Sequence, residues 1–114
     1  MSNPYELSDD TPVYVISVAA ELSNMHPQTL RAYDRMGLVS PRRTAKRGRR
    51  YSARDVARLR LIQRLSQDEG INLEGIRRIL IMQDDIDELR TRVDQLTALL
   101  AAFQESSGSR VFTA

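Results

Sequence analysis

Apolar residues in the last third of the chain fall at Ile86, Leu89, Val93, Leu96, Leu100 and Phe103, in steps of +3, +4, +3, +4 and +3. That is the a/d spacing of a coiled coil. The span from 86 to 103 predicts a helix about 27 Å long. An isolated helix of this length is marginal in water, so its stripe needs a partner, either its own domain or, as expected for so narrow a stripe at the end of a small domain, a second copy.

Earlier segments carry shorter patterns. "VYVI" (13–16) is a β-prone run too short to make a sheet alone. Ser17 is placed to cap a first helix whose Val18, Ala19 and Leu22 share a face. "SNMH" (23–26) reads as a turn, and Pro27 suits the first position of a second helix that runs to about 36 and stops at Gly37. Two short helices joined by such a turn make a helix-turn-helix. Pro41 then biases Ser40 towards extended geometry, and Gly48 marks a tight turn inside "RRTAKRGRRYS" (42–52). Ser52 and Asp55 form a capping-box pattern for a third helix carrying Val56, Leu59, Ile62 and Leu65. Gly70 ends it, and Asn72 caps a short fourth helix with Leu73, Ile76, Ile79 and Leu80, ahead of the coiled-coil helix. Residues 1–11 read as a flexible leader, 12–82 as the main domain, 83–105 as the dimerisation helix and 106–114 as a flexible tail.

Charge sharpens this picture. The net charge of +2 conceals a central block: residues 31–64 carry twelve Lys or Arg against Asp34 and Asp55, a balance of +10, between flanks of −4 each. A polyanion is the implied partner, with DNA, RNA and membrane surface all open on charge alone. A chain of 114 residues with 41% apolar content fits one small domain with an appended helix. Without cysteine, disulfides, thiolate metal sites and thiol redox sensing fall away, and a single His leaves no conventional zinc site. No apolar run reaches the roughly 20 residues that span a bilayer, and no secretory leader is expected. An enzyme is disfavoured, since there is no Cys, one His at a helix start and no Gly-rich phosphate loop, and the carboxylates read as caps or solvated helix faces; no cofactor or metal is expected.

In a helix-turn-helix the second helix lies in the major groove and its N-terminal part meets base edges. That helix offers Gln28, Thr29 and Arg31, then Tyr33 and Arg35, with Leu30 on the opposite, core-facing side. Gln pairs with adenine and Arg with guanine, while a Thr or Tyr hydroxyl holds phosphate. His26, at the helix start, is read as a cap or phosphate contact rather than a pH switch. The basic stretch that follows directly, with Arg42, Arg43, Lys46, Arg47, Arg49 and Arg50, strengthens the DNA reading.

"ISVAAELSNMHPQTLRAYDRMGLVSPRR" followed by "RRYSARDVARLRLIQRLSQDEGINLEGIRRIL" resembles the DNA-binding domain of MerR-type transcription regulators over about residues 13–82. The resemblance implies a mostly α fold: a winged helix-turn-helix with a small β-hairpin wing, then a dimerising coiled-coil helix. It also implies homodimers on double-stranded DNA with an inverted-repeat operator. By that likeness "RRTAKRGRRYS" is the wing, with Gly48 at or near its tip, and residues 86–103 pair the protomers. Two positions depart from the usual pattern. Ala32 stands where many members have an aromatic, and His26 where a small hydroxyl is common.

Within the family the likeness is to heat-shock repressors. This implies control of chaperone genes in the bacterial cytoplasm, with a DnaK-type chaperone as co-repressor. Arg110, Val111 and Phe112 are then candidates for the chaperone's peptide cleft. No small-molecule effector is expected, since few residues follow the coiled coil to enclose one. An activator of another regulon and a low-specificity DNA-bending protein are the alternatives.

Overall fold

A computed structural model describes residues 9–112, with side chains through residue 107. It is mostly helical, with one two-stranded antiparallel hairpin and a long C-terminal helix. The elements are α1 (Ile16–Ser23), α2 (Pro27–Arg35), β1 (Arg42–Thr44), β2 (Gly48–Arg50), α3 (Ala53–Gln63) and α4 (Leu73–Phe112). The chain divides into two compact units between Arg77 and Arg78.

Helix α1 departs from its expected start and face. Its N-cap is Val15, without a side-chain cap, and Ser17 lies exposed in the first turn. The buried positions are Ala19, Ala20 and Ser23, whereas Val18 and Leu22 are each 39% exposed. Small residues allow close approach, and the hydroxyl of Ser23 becomes buriable because it donates to the carbonyls of Ala19 and Ala20 at 2.7 and 3.2 Å. Asn24, with φ 56°, ends the helix in the left-handed region. The "VYVI" run contributes a single antiparallel bridge, Tyr14 to Tyr51, beside the hairpin. Of the expected leader, residues 1–8 lie outside the described residues, while residue 9 is tied down: the Asp9 carbonyl accepts from Arg54 N at 2.9 Å.

Helices α2 and α3 follow the sequence closely. Pro27 is at the first turn of α2, Leu30 is fully buried, and Gly37 follows the helix at φ +72°. The capping box at α3 is complete: Ser52 Oγ accepts from Asp55 N at 3.0 Å, and Asp55 Oδ2 accepts from Ser52 N at 2.8 Å. Val56, Leu59, Ile62 and Leu65 are 5%, 0%, 0% and 6% exposed, so the stripe is core. Beyond Gln63 the chain widens into a π-helical turn, Arg64–Asp68, before Gly70 at φ +65°.

The fourth and fifth helices expected from the sequence are one. Asn72 Oδ1 does accept from Gly75 N at 2.9 Å as a cap, but α4 then runs for 40 residues. Nothing between 76 and 105 is Pro or Gly, so the charged stretch "QDDIDE" (83–88) changes the exposed surface without breaking the backbone ladder. The helix also continues across 106–112, where a tail was expected; the side chains of Arg110, Val111 and Phe112 lie outside the described residues.

Candidate nucleic-acid interface

The start of α2 is built by His26. Its backbone is extended (φ −75°, ψ 141°), and its Nδ1 accepts from Gln28 N at 3.1 Å. The ring nitrogen thus does what a Ser or Thr hydroxyl does at this position, and it leaves the first turn free to present Gln28, which is exposed. Thr29 and Tyr33 are half-buried, and Arg31 and Arg35 are exposed.

At the other end of α2, Arg77 donates to the Met36 carbonyl at 2.9 Å. Arg60 does the same for α1, with Nε and a terminal nitrogen both on the Leu22 carbonyl at 3.0 and 2.7 Å. A cation at a helix C-terminus satisfies orphan carbonyls and complements the dipole. Arg60 therefore belongs to the scaffold. Neither arginine was legible as a cap, because both partners are about 40 residues away along the chain.

The hairpin pairs Arg42 with Arg50, Arg43 with Arg49 and Thr44 with Gly48. Residues directly opposite in an antiparallel pair share a face, so cations stand on both faces of this ribbon. Ala45, Lys46 and Arg47 form the tip, with Gly48 just after it at φ +73°. Thr44 holds the turn: its hydroxyl accepts from Arg47 N at 3.0 Å and donates to the Gly48 carbonyl at 2.8 Å. The tip cations Lys46 and Arg47 are exposed, as are Arg42 and Arg43.

Helix α2 and the hairpin enclose a concavity of about 510 Å³, lined among others by Arg31, Asp34, Arg35, Arg49, Arg50 and Tyr51. Across it Arg49 donates to Asp34 Oδ2 at 2.9 Å. Tyr51 forms the floor at 1% exposure. Its burial pushes the phenol above the usual value near 10, Asp34 and Asp55 adding to the effect while Arg49 and Arg31 oppose it. The phenol is therefore neutral wherever the protein works at ordinary pH.

Four sequence-predicted residues thus converge, Arg31 and Arg35 from α2 with Arg49 and Arg50 from β2. Gln28, Thr29, Tyr33, Arg42, Arg43, Lys46 and Arg47 lie outside this concavity. Asp34 and Tyr51 were missed as site residues. The available signal for Asp34 was its sign, an acid within a block of +10. Among the described residues no group of three or more His, Cys, Asp or Glu is placed to hold a metal ion, and no helix is long and apolar enough to cross a membrane.

From Ile86 to Phe103 the α4 stripe is open to solvent, with exposures of 43% at Ile86, 61% at Leu89, 59% at Val93, 63% at Leu96, 55% at Leu100 and 67% at Phe103.

Comparison with known proteins bears on both features. The family profile described as MerR HTH family regulatory protein matches residues 14–83. A Streptomyces coelicolor protein named heat shock protein HspR is 67% identical over 98 residues, covering 86% of this chain and 65% of that protein. The HTH-type transcriptional regulator GlnR of Bacillus anthracis is 34% identical over 77 residues, covering 68% of this chain and 59% of its own length. The HTH-type transcriptional repressor CarH of Myxococcus xanthus is 40% identical over 68 residues, or 59% of this chain and 22% of CarH. The chain thus spans less than two-thirds of the length of each of these relatives.

Proposed function

Because the chain belongs to the MerR helix-turn-helix family of regulators and is close to HspR, we propose that it is a dimeric, sequence-specific DNA-binding repressor of heat-shock and chaperone genes. The observation that carries the DNA part is the convergence of Arg31, Arg35, Arg49 and Arg50 around one concavity between α2 and the hairpin. Guanidinium groups offer planar forks that match phosphate, and here two elements supply them to one place. Gln28 at the exposed, capped start of α2 is then free to meet base edges, with Thr29 and Arg31 beside it. Lys46 and Arg47 at the tip, with Arg42 and Arg43 on the strands, extend the contact along the backbone.

The exposed stripe of α4 supports the dimer. An unpartnered row of six large apolar side chains is unfavourable in water, and a second copy supplies the complementary stripe. A two-fold dimer implies an inverted-repeat operator. The heat-shock regulon and a DnaK-type co-repressor rest on the likeness to HspR, whose own name refers to heat shock.

The test is a competition binding assay with the full chain. A duplex selected by the protein from a random pool should bind about 10³-fold or more tightly than random sequence, whereas an architectural DNA-bending protein would show little preference. A DnaK-type chaperone, added to the selected complex, should tighten it; no enhancement would remove the co-repressor from the proposal. Occupancy of chaperone promoters that disappears on heat shock would support the regulon, and random genomic occupancy would end it.

A further inference from the structure

The acids within the basic block are its informative exceptions. Asp55 has a local task, since its carboxylate closes the α3 capping box. Asp34 faces a side chain instead. It stands on α2, and its Oδ2 accepts from Arg49 of β2 at 2.9 Å. Both groups line the concavity that also gathers Arg31, Arg35 and Arg50. The pair is open to solvent, with the Arg49 side chain 55% and the Asp34 side chain 27% exposed.

A carboxylate and a phosphate present the same kind of acceptor to a guanidinium. An exposed pair of this kind is held weakly, so a second acceptor can replace the first at small cost. Asp34 also lies well within a Debye length of any phosphate entering the concavity, and it repels that phosphate. We propose that Asp34 is a specificity-setting residue that acts as an internal stand-in for a DNA phosphate. It occupies Arg49 in the free protein and yields that cation only to a phosphate seated in the concavity between α2 and the hairpin. Loose, sequence-independent binding is then denied one cation, while a complex with α2 fully seated gains it. This role rests on the DNA-binding reading above and adds to it a named residue that restrains binding.

Asp34→Asn keeps the size and an acceptor oxygen while removing the charge, and thermal unfolding verifies that the fold is retained. The probe is a random-sequence duplex of about 30 base pairs, titrated with the full chain between about 0.05 and 0.2 M salt. Asp34→Asn should bind it about 5- to 10-fold more tightly and steepen the plot of log K against log salt by about 0.9 per protomer, one added phosphate contact. On a duplex selected by the wild-type protein the gain should be smaller, so the ratio of selected to random binding falls. Arg49→Ala in the wild-type background should leave the slope in place, because its charge is already taken by Asp34, while the uncompensated Asp34 carboxylate weakens random-duplex binding by a few-fold. Arg47→Ala, at the exposed tip, should flatten the slope. In the double variant Asp34→Asn with Arg49→Ala, the steepened slope should return to the wild-type value.

An unchanged slope and affinity for Asp34→Asn, beside normal wild-type binding, would overturn the role of Asp34 and leave the DNA-binding reading standing. Equal flattening by Arg49→Ala and Arg47→Ala would also overturn it, since Arg49 would then be a free phosphate ligand. A wild-type chain that binds neither duplex would end the DNA-binding reading itself.

Discussion

Helix α3 and the C-terminal part of α4 carry the same sequence signal with opposite outcomes. In α3, Val56, Leu59 and Ile62 follow helical spacing and are 5%, 0% and 0% exposed. In α4, Leu89, Val93 and Leu96 follow it as faithfully and are 61%, 59% and 63% exposed. Periodicity identifies the apolar face of a helix and is silent about what covers that face. The cover of α3 is the chain's own core; the proposed cover of α4 is a second copy.

The largest expected effect is at the covered stripe. Leu59→Ala should lower unfolding free energy by about 2–5 kcal/mol through lost burial and a residual cavity, read from denaturant midpoints at constant slope. A loss near zero would mean that α3 is not the core of its unit.

Next comes Leu96→Asp on the open stripe. It should raise the dimer dissociation constant about 30-fold or more, the scale of losing one buried anchor worth about 2 kcal/mol. Sedimentation equilibrium measures it, and thermal midpoints should then lose their dependence on protein concentration. A wild-type chain that is monomeric at all concentrations would break the comparison at its α4 side.

His26→Ala should cost about 1 kcal/mol by uncapping α2, whereas His26→Ser should restore most of that. Equal losses in both variants would assign His26 something other than the cap.

Tyr51 gives the smallest effect. Its phenol is raised above 10 by burial, so the folded chain holds this proton more tightly than the unfolded chain does. The resulting stability is fully present below about pH 10 and is lost as pH rises through the folded value. Denaturant midpoints at about pH 8 and pH 10.5 should therefore diverge more in the wild type than in Tyr51→Phe. The same decline in both would exclude Tyr51 as its source.

What could be read from the sequence was local. The Ser52–Asp55 box, Pro27 at its first turn and Gly37 after α2 each depend on residues within a few positions, and each is found where expected. Leu30 and the α3 stripe were legible because one face of a short helix must be covered. The misread positions depended on tertiary choices. Ser17 is a good cap by type, but the chain enters α1 two residues earlier, in step with the Tyr14–Tyr51 bridge. The buried face of α1 is made of small residues that hydropathy ranks below Val18 and Leu22. The continuity of α4 was hidden by a charged stretch that resembles a linker in composition and contains no breaker. The concavity is intermediate. Its arginines were nominated by charge, but the grouping of four of them, and the capture of Arg49 by Asp34, arise only when α2 and β2 are placed side by side.

The two ends of α2 have a consequence for protein engineering. One is closed by the side chain of His26, immediately before the helix, and the other by Arg77, far along the chain. A designer who transplants this helix to test whether it gives another regulator a new operator preference would carry the first closure with the insert and leave the second behind. The exchangeable cassette therefore runs from residue 26 to residue 36, and the recipient must already hold an arginine where Arg77 stands.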